Sequence, residues 1–196
     1  LPIVAMNRRP LRDEFSWVAM DNHGGGQMAA RHLLELGHRR IGLIDIEPCQ
    51  SFYVERRQGF SEIIEAAGVS PLVVVAVSPI PELAEMANTA RQLLAAGITA
   101  VFAANDFIAG HLLTALRDLG VSVPGDLSII GFDASGGEPP EAVLLTSVGY
   151  DRELMGREAL IMLADLATRG DRILCRSLTV PTGVANPQVT ATAAKS

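Results

Sequence analysis

Apolar residues run along this chain in two alternating rhythms. Short runs rich in branched residues, IGLIDI at 41–46, VVVAV at 73–77, AVFAA at 100–104 and LSIIGF at 127–132, carry almost no polar position. Between them lie longer stretches in which apolar side chains return every third or fourth residue. A strand covered on both faces reads as the first rhythm, and a helix laid along a sheet reads as the second. The pattern predicts strands over 2–6, 17–20, 40–46, 72–77, 99–103, 127–132 and 143–148, with helices over 24–36, 55–67, 82–96, 106–119 and 151–168. A glycine follows each helix, at Gly37, Gly68, Gly97, Gly120 and Gly170, where a left-handed residue can close the last turn.

Strands alternating with helices predict an α/β fold built on doubly wound parallel sheet. Ligands of such sheets bind outside the carboxyl ends of the strands. That rule selects the polar residues just past each strand: Asn7, Asp45, Asn105, Asp106 and Asp133. The last stretch differs. After an apolar run near 173–180, PTGVANPQVTATAAKS thins into small and polar residues, and 191–196 are expected to be a mobile tail.

With 196 residues, 48% of them hydrophobic, the chain can bury one large domain or two small lobes. Its net charge of -6 argues against a nucleic-acid surface, which needs clustered Lys and Arg. The arginines come only as scattered pairs, Arg8-Arg9, Arg39-Arg40 and Arg56-Arg57. Cys49 and Cys175 form no C-x-x-C spacing, so neither a zinc site nor a disulfide framework is expected, and reduced, cytoplasmic thiols are the default. No apolar run is long enough for a membrane span, and LPIVAMNRRP does not have the order of a signal peptide.

One motif suggests cofactor chemistry. Gly24-Gly25-Gly26-Gln27-Met28-Ala29 fits the dinucleotide fingerprint G-x-G-x-x-G/A, and Asp45 follows about where a ribose-binding carboxylate stands. Against this, Asp21 and Asn22 separate the glycines from a short strand, and either serves as an N-cap for helix 24–36. A carboxylate there also competes with a pyrophosphate for the helix N-terminus. His23, His32, His38 and His111 show no metal-ligand spacing and no serine elbow accompanies them, so no metal, cofactor or catalytic residue is expected. His38, in the loop after a helix, is read as a hydrogen-bonding residue. Arg56 in VERRQGF sits in the first turn of the helix predicted from 55, where the dipole disfavours a cation. A guanidinium there can instead grip a carboxylate or adjacent hydroxyls.

The phrases DNHGGGQMAARHLLELGHRRIGLI, ERRQGF, AVFAANDFIAG, GVSVPGDLSIIGFD and LLTSVGYDRELMG, in this order and spacing, resemble the effector-binding core of the lactose/galactose repressor family of transcriptional regulators. The resemblance runs from about residue 1 to about residue 190. It implies a type I fold like that of periplasmic sugar-binding proteins, with two parallel-sheet lobes and a small ligand at the hinge. A complete C-terminal lobe would comprise 21–148 and 179–190, and a partial N-terminal lobe 1–20 and 149–178. The family's helix-turn-helix DNA reader is absent from this sequence, so operator DNA would be contacted only through it.

Carried onto matching positions, the resemblance implies ligand contacts from Arg56, Asn105 and Asp133, with Asn7 after the first strand, and Phe52 and Ile80 in loops, as further candidates. Arg57 is its surface neighbour. It also implies a cytoplasmic homodimer, without membrane contact, whose partner surfaces include 134–142 and helix 82–96, and an effector such as a sugar. One departure is Asn186, near where relatives carry an Arg. Two other readings remain: a secreted or periplasmic sugar-binding protein of the same architecture, and a dinucleotide-dependent enzyme built on GGGQMA and Asp45.

Overall fold

The computed structural model describes residues 1–10, 15–48, 50–69, 73–134, 145–169, 176–187, 190, 191 and 193. Cys49, Cys175, Gly170 and most of the expected partner segment 134–142 lie outside the described residues. The elements run β1 (Val4–Met6), β2 (Ser16–Met20), α1 (Asn22–Glu35), β3 (Ile41–Ile46), α2 (Ser51–Ala66), β4 (Val73–Val77), α3 (Leu83–Ala95), β5 (Ala100–Ala103), α4 (Asp106–Asp118), β6 (Ser128–Phe132), β7 (Thr146–Tyr150), α5 (Arg152–Arg169), β8 (Ser177–Val180) and β9 (Thr182–Ala185).

The chain divides into two compact units, Leu1–Asp21 with Tyr150–Thr182, and Asn22–Gly149 with Gly183–Ser196. In the first, β1, β2 and β8 form a parallel sheet in that order, and α5 packs on it, burying Met155, Ala159 and Met162. Arg9 lies over the Trp17 ring, 5.1 Å from its centroid.

The second unit is built on the sheet β4-β3-β5-β6-β7-β9, parallel from β4 through β7. Because successive strand residues point to opposite faces, Ile44, Ile46, Val101, Ala103 and Ile129 pack with Met86, Leu93, Ile108 and Leu112 of α3 and α4. The other face packs on α2, with Phe60 stacked on Phe102 at 4.7 Å and Phe102 tilted against Phe132 at 6.4 Å. Of the apolar runs, β3, β5 and β6 are buried on both faces, whereas at the sheet edge β4 leaves Val74 and Ala76 exposed, so the expectation that both its faces are covered does not hold there. The parallel order of the strands was not readable from their composition, because pairing is set by which helix covers which face.

Gly37, Gly68, Gly97 and Gly120 all take positive φ, as their positions after helices predict. At each, the glycine N–H bonds the carbonyl three residues back and the next N–H bonds the carbonyl five back, a Schellman closure repeated four times among the described helices. Helix α2, however, begins at Ser51 rather than 55, which moves Phe52 from a loop onto the helix and Arg56 out of the first turn. Its first turn offers no acidic side chain and Gln50 makes no side-chain cap, so sequence gave no start signal.

Of the expected mobile tail 191–196, only Ala191 and Ala193 are among the described residues. The Ala193 N–H donates to the Leu36 carbonyl at 2.9 Å, and the Ala191 N–H to the Ser128 hydroxyl at 3.2 Å. His38, read as a hydrogen-bonding residue, is buried between the Thr99 hydroxyl and the Ala191 carbonyl, each 3.0 Å away. His32 contacts the Thr190 hydroxyl at 2.5 Å.

Burial holds both imidazoles below their ordinary pKa, against an opposing pull from the Ala191 carbonyl on His38 and from Glu35 on His32. In the unfolded chain each ring takes up its proton near the ordinary imidazole value of 6.5. Between each folded value and that one, the unfolded state therefore binds more protons, and stability falls as pH drops through this window. The urea midpoint should be lower at about pH 5.5 than at about pH 7.5, and the difference should shrink in His38→Gln. Midpoints that do not move with pH would contradict this.

Candidate ligand site

Four chain segments meet around one guanidinium. Arg56 on α2 is buried, and its donors are directed by its neighbours. Nε donates to Asn22 Oδ1 at 2.9 Å, Nη1 to the Ala104 carbonyl at 2.7 Å, and Nη2 to Asp133 Oδ1 at 2.9 Å. Beneath it the Phe132 ring presents its face, 3.7 Å from the guanidinium carbon. Phe52 and Tyr53 flank it, their ring centroids 5.5 and 5.4 Å away. A cation buried to this extent is tolerable because a carboxylate, two further acceptors and a π-face replace its water shell.

Each partner sits at the carboxyl end of a strand or the opening of a helix, as the parallel-sheet rule requires. Ala104 follows β5, and Asp133 follows β6 with φ of +98. Asn105 caps α4: its Oδ1 accepts from the Ile108 N–H at 2.9 Å, while Nδ2 donates to the Tyr53 hydroxyl at 3.1 Å. One amide thus ties the start of α4 to the aromatic wall. Asp133 keeps its side chain 32% exposed, so the ion pair borders solvent.

Of the expected contact residues, Arg56, Asp133 and Phe52 come together here, and Asn105 joins them through Tyr53. Ile80 lies in the turn after β4, strongly exposed, with its backbone hydrogen-bonded to the Ser78 hydroxyl. Asn7 belongs to the first unit, with φ of +57 and its N–H on the Val18 carbonyl at 2.8 Å. Its Oδ1 is buried and has no hydrogen-bond partner among the described residues.

Of the two cap candidates, Asp21 immediately precedes α1, while Asn22 is its first residue and accepts from Arg56. Arg57 does more than face solvent: it pairs with buried Asp45, whose other oxygen accepts from the Ile46 N–H at 2.9 Å. With both its oxygens engaged by the protein, Asp45 does not present a free carboxylate of the kind that a ribose requires.

The glycine fingerprint has a packing explanation. A Cβ on Gly26 would lie 2.1 Å from the Arg56 carbonyl oxygen, and one on Gly59 would lie 2.0 Å from that of His23. Helices α1 and α2 therefore cross backbone to backbone. A Cβ on Gly25 would meet the Phe132 ring at 2.6 Å. The glycines let Asn22, Arg56 and Phe132 converge. Sequence analysis missed Asn22, Tyr53 and Phe132 as parts of this constellation; the aromatic pair just before Arg56 was the available signal for Tyr53.

No group of three or more His, Cys, Asp or Glu able to hold a metal occurs among the described residues, and no described helix is long and apolar enough to cross a membrane.

Residues 30–186 match the family described as a periplasmic binding protein-like domain. The chain is 38% identical to the HTH-type transcriptional regulator CelR of Thermobifida fusca over 82% of its own length and 48% of that protein. It is 32% identical to the HTH-type transcriptional repressor PurR of Yersinia pestis over 84% of its length and 49% of that protein. A solved complex of transcriptional regulator CelR with cellobiose superposes with a TM-score of 0.77 at 33% identity, over 93% of this chain and 57% of that one. The chain thus spans about half the length of the curated relatives it matches.

Proposed function

Because this chain belongs to the periplasmic-binding-protein-like domain family, in the branch of the lactose/galactose repressor regulators, we propose that it is the effector-sensing part of a transcriptional regulator and that its effector is a sugar. The observation that carries the reading is the Arg56–Asp133 pair at the carboxyl edge of the six-stranded sheet. Cation and anion side by side suit a neutral polyol, whose hydroxyls donate to the carboxylate and accept from the guanidinium. A phosphate or carboxylate ligand would meet the negative charge of Asp133, and the neighbouring Arg57 is engaged by Asp45. Phe52 and Tyr53, their rings tilted 55° to one another, supply aromatic faces against which the C–H face of a pyranose can pack. The cellobiose complex of CelR supports the same ligand class.

In this reading sugar binding shifts a conformational equilibrium and thereby operator affinity, in a cytoplasmic homodimer that acts as a repressor. DNA is read by a helix-turn-helix segment outside this sequence, in keeping with the net charge of -6 of the present chain.

Melting the chain in the presence of a panel of neutral sugars, with cellobiose first and sugar phosphates and NAD as comparators, tests this. A ligand at about 100 times its Kd adds about 2.7 kcal/mol, so one neutral sugar should raise Tm by several degrees. A rise with NAD or with sugar phosphates alone would overturn the assignment.

A further inference from the structure

The Asp133 backbone is held by hydrogen bonds to the neighbouring strand β7. Asp133 and Ala134 are consecutive non-glycine residues in the left-handed region, with φ of +98 and +43. That conformation is costly for residues with a Cβ and persists only where surrounding bonds impose it. Two such bonds are present. The Asp133 N–H donates to the Val148 carbonyl at 2.8 Å, and the Ala134 N–H donates to the Ser147 hydroxyl oxygen at 3.0 Å.

The Ser147 oxygen is free to accept because its own proton is directed elsewhere, to Asp106 Oδ1 at 2.6 Å, with both residues buried. Asp106 reaches that place because β6 has no side chain above it: a Cβ on Gly131 would lie 2.2 Å from the same Oδ1. Gly149 likewise leaves room for the Ala134 methyl, which a Cβ there would meet at 2.4 Å. The A-N-D, G-F-D and T-S-V-G phrases therefore interlock at one point, through Asp106, Gly131, Ser147 and Gly149.

We propose that Asp106 and Ser147 are positioning residues for sugar recognition: the Asp106–Ser147 hydrogen bond orients the serine hydroxyl, which holds the left-handed Asp133–Ala134 turn and so aims the Asp133 carboxylate at Arg56. This rests on the reading of Asp133 and Arg56 as sugar contacts. It assigns the second carboxylate of the site a structural direction rather than a ligand contact. The Ser147 oxygen has two lone pairs and one proton; Asp106 draws the proton to itself, which keeps it away from the Ala134 N–H and leaves a lone pair for that donor.

The test is the pair of variants Ser147→Ala and Ser147→Ala with Ala134→Gly, read by amide hydrogen exchange at residue 134 and by calorimetric titration with cellobiose. In Ser147→Ala the exchange at 134 should quicken about tenfold and the affinity should fall about tenfold, as the loss of one buried hydrogen bond implies. Glycine at 134 takes the left-handed conformation without steric cost, so the double variant should recover most of the affinity while its exchange stays fast. A role confined to general stability would lower the urea midpoint of Ser147→Ala and leave the affinity of the folded chain for cellobiose unchanged. Unchanged exchange in Ser147→Ala, or a double variant that binds no better than the single one, would overturn the proposal. If the unaltered chain binds no cellobiose, that choice of sugar fails, and the exchange at 134 still decides whether Ser147 holds the turn.

Discussion

Replacing Arg56 with alanine is expected to lower the stability of the chain by about 3 kcal/mol, a large share of what a domain of this size possesses. The substitution strips the donor from Asn22 Oδ1, from the Ala104 carbonyl and from Asp133 Oδ1 at once. Breaking one side of a buried charged pair commonly costs about 3–5 kcal/mol. The lower end applies because Asp133 is 32% exposed and water can reach its carboxylate. Arg56→Lys should regain less than half of the loss, since an ammonium cannot bond in three fixed in-plane directions while lying flat on Phe132. Urea unfolding followed by circular dichroism measures both variants. A loss under about 1 kcal/mol for Arg56→Ala would show that the three acceptors find other partners.

Gly59→Ala should be at least as damaging. Its new methyl would lie 2.0 Å from the His23 oxygen and 2.9 Å from the carbon of the same peptide, both backbone atoms that cannot rotate aside. The helices must separate by more than 1 Å, roughly, losing the packing along their contact, and overpacking of this kind costs about 3 kcal/mol or more. The separation would also be felt in the site, because the facing contact at Gly26 is with the carbonyl of Arg56 itself. Gly68→Ala is the matched control: its φ is +66 but nothing lies within 4 Å, so only the backbone cost of about 1 kcal/mol applies. Melting temperatures should therefore fall about three times as far for Gly59→Ala as for Gly68→Ala. Equal shifts would mean that the helix crossing yields easily.

The contrast between these two glycines shows what the sequence could and could not reveal. Gly68 was readable as a helix stop because its role is local: the positive φ closes a turn that ends where the apolar periodicity ends. Gly26 and Gly59 matter through each other's helix, 33 residues apart in sequence, and no local pattern records which backbone a missing side chain admits. For the same reason GGGQMA could fit a nucleotide fingerprint in letters while serving a helix crossing.

The site divides along the same line. Arg56, Asn105 and Asp133 follow from phrases that end strands or resemble a family core, and the structure brings Arg56 and Asp133 to within 2.9 Å. Asp21 and Asn22 were alternative cap candidates because Asp-Asn before a helix ordinarily supplies one; the bond from Arg56 to the Asn22 amide, 34 residues away in sequence, left no local mark. Phe52 was placed in a loop because α2 opens without a capping side chain. Ser147 carried no signal at all, since a serine inside a buried strand looks the same whether it holds a turn or merely fills space.

The central claim is that the Arg56–Asp133 pair recognises a neutral sugar, and calorimetric titration of cellobiose into the chain and into Asp133→Asn tests it most directly. Asparagine preserves the shape of the side chain but turns a charged acceptor into a neutral one, and a hydrogen bond to a charged group is worth about 1.5–3 kcal/mol. The account predicts saturable binding to the unaltered chain and an affinity at least tenfold weaker in Asp133→Asn. Equal affinity in the two would place the sugar elsewhere and contradict it.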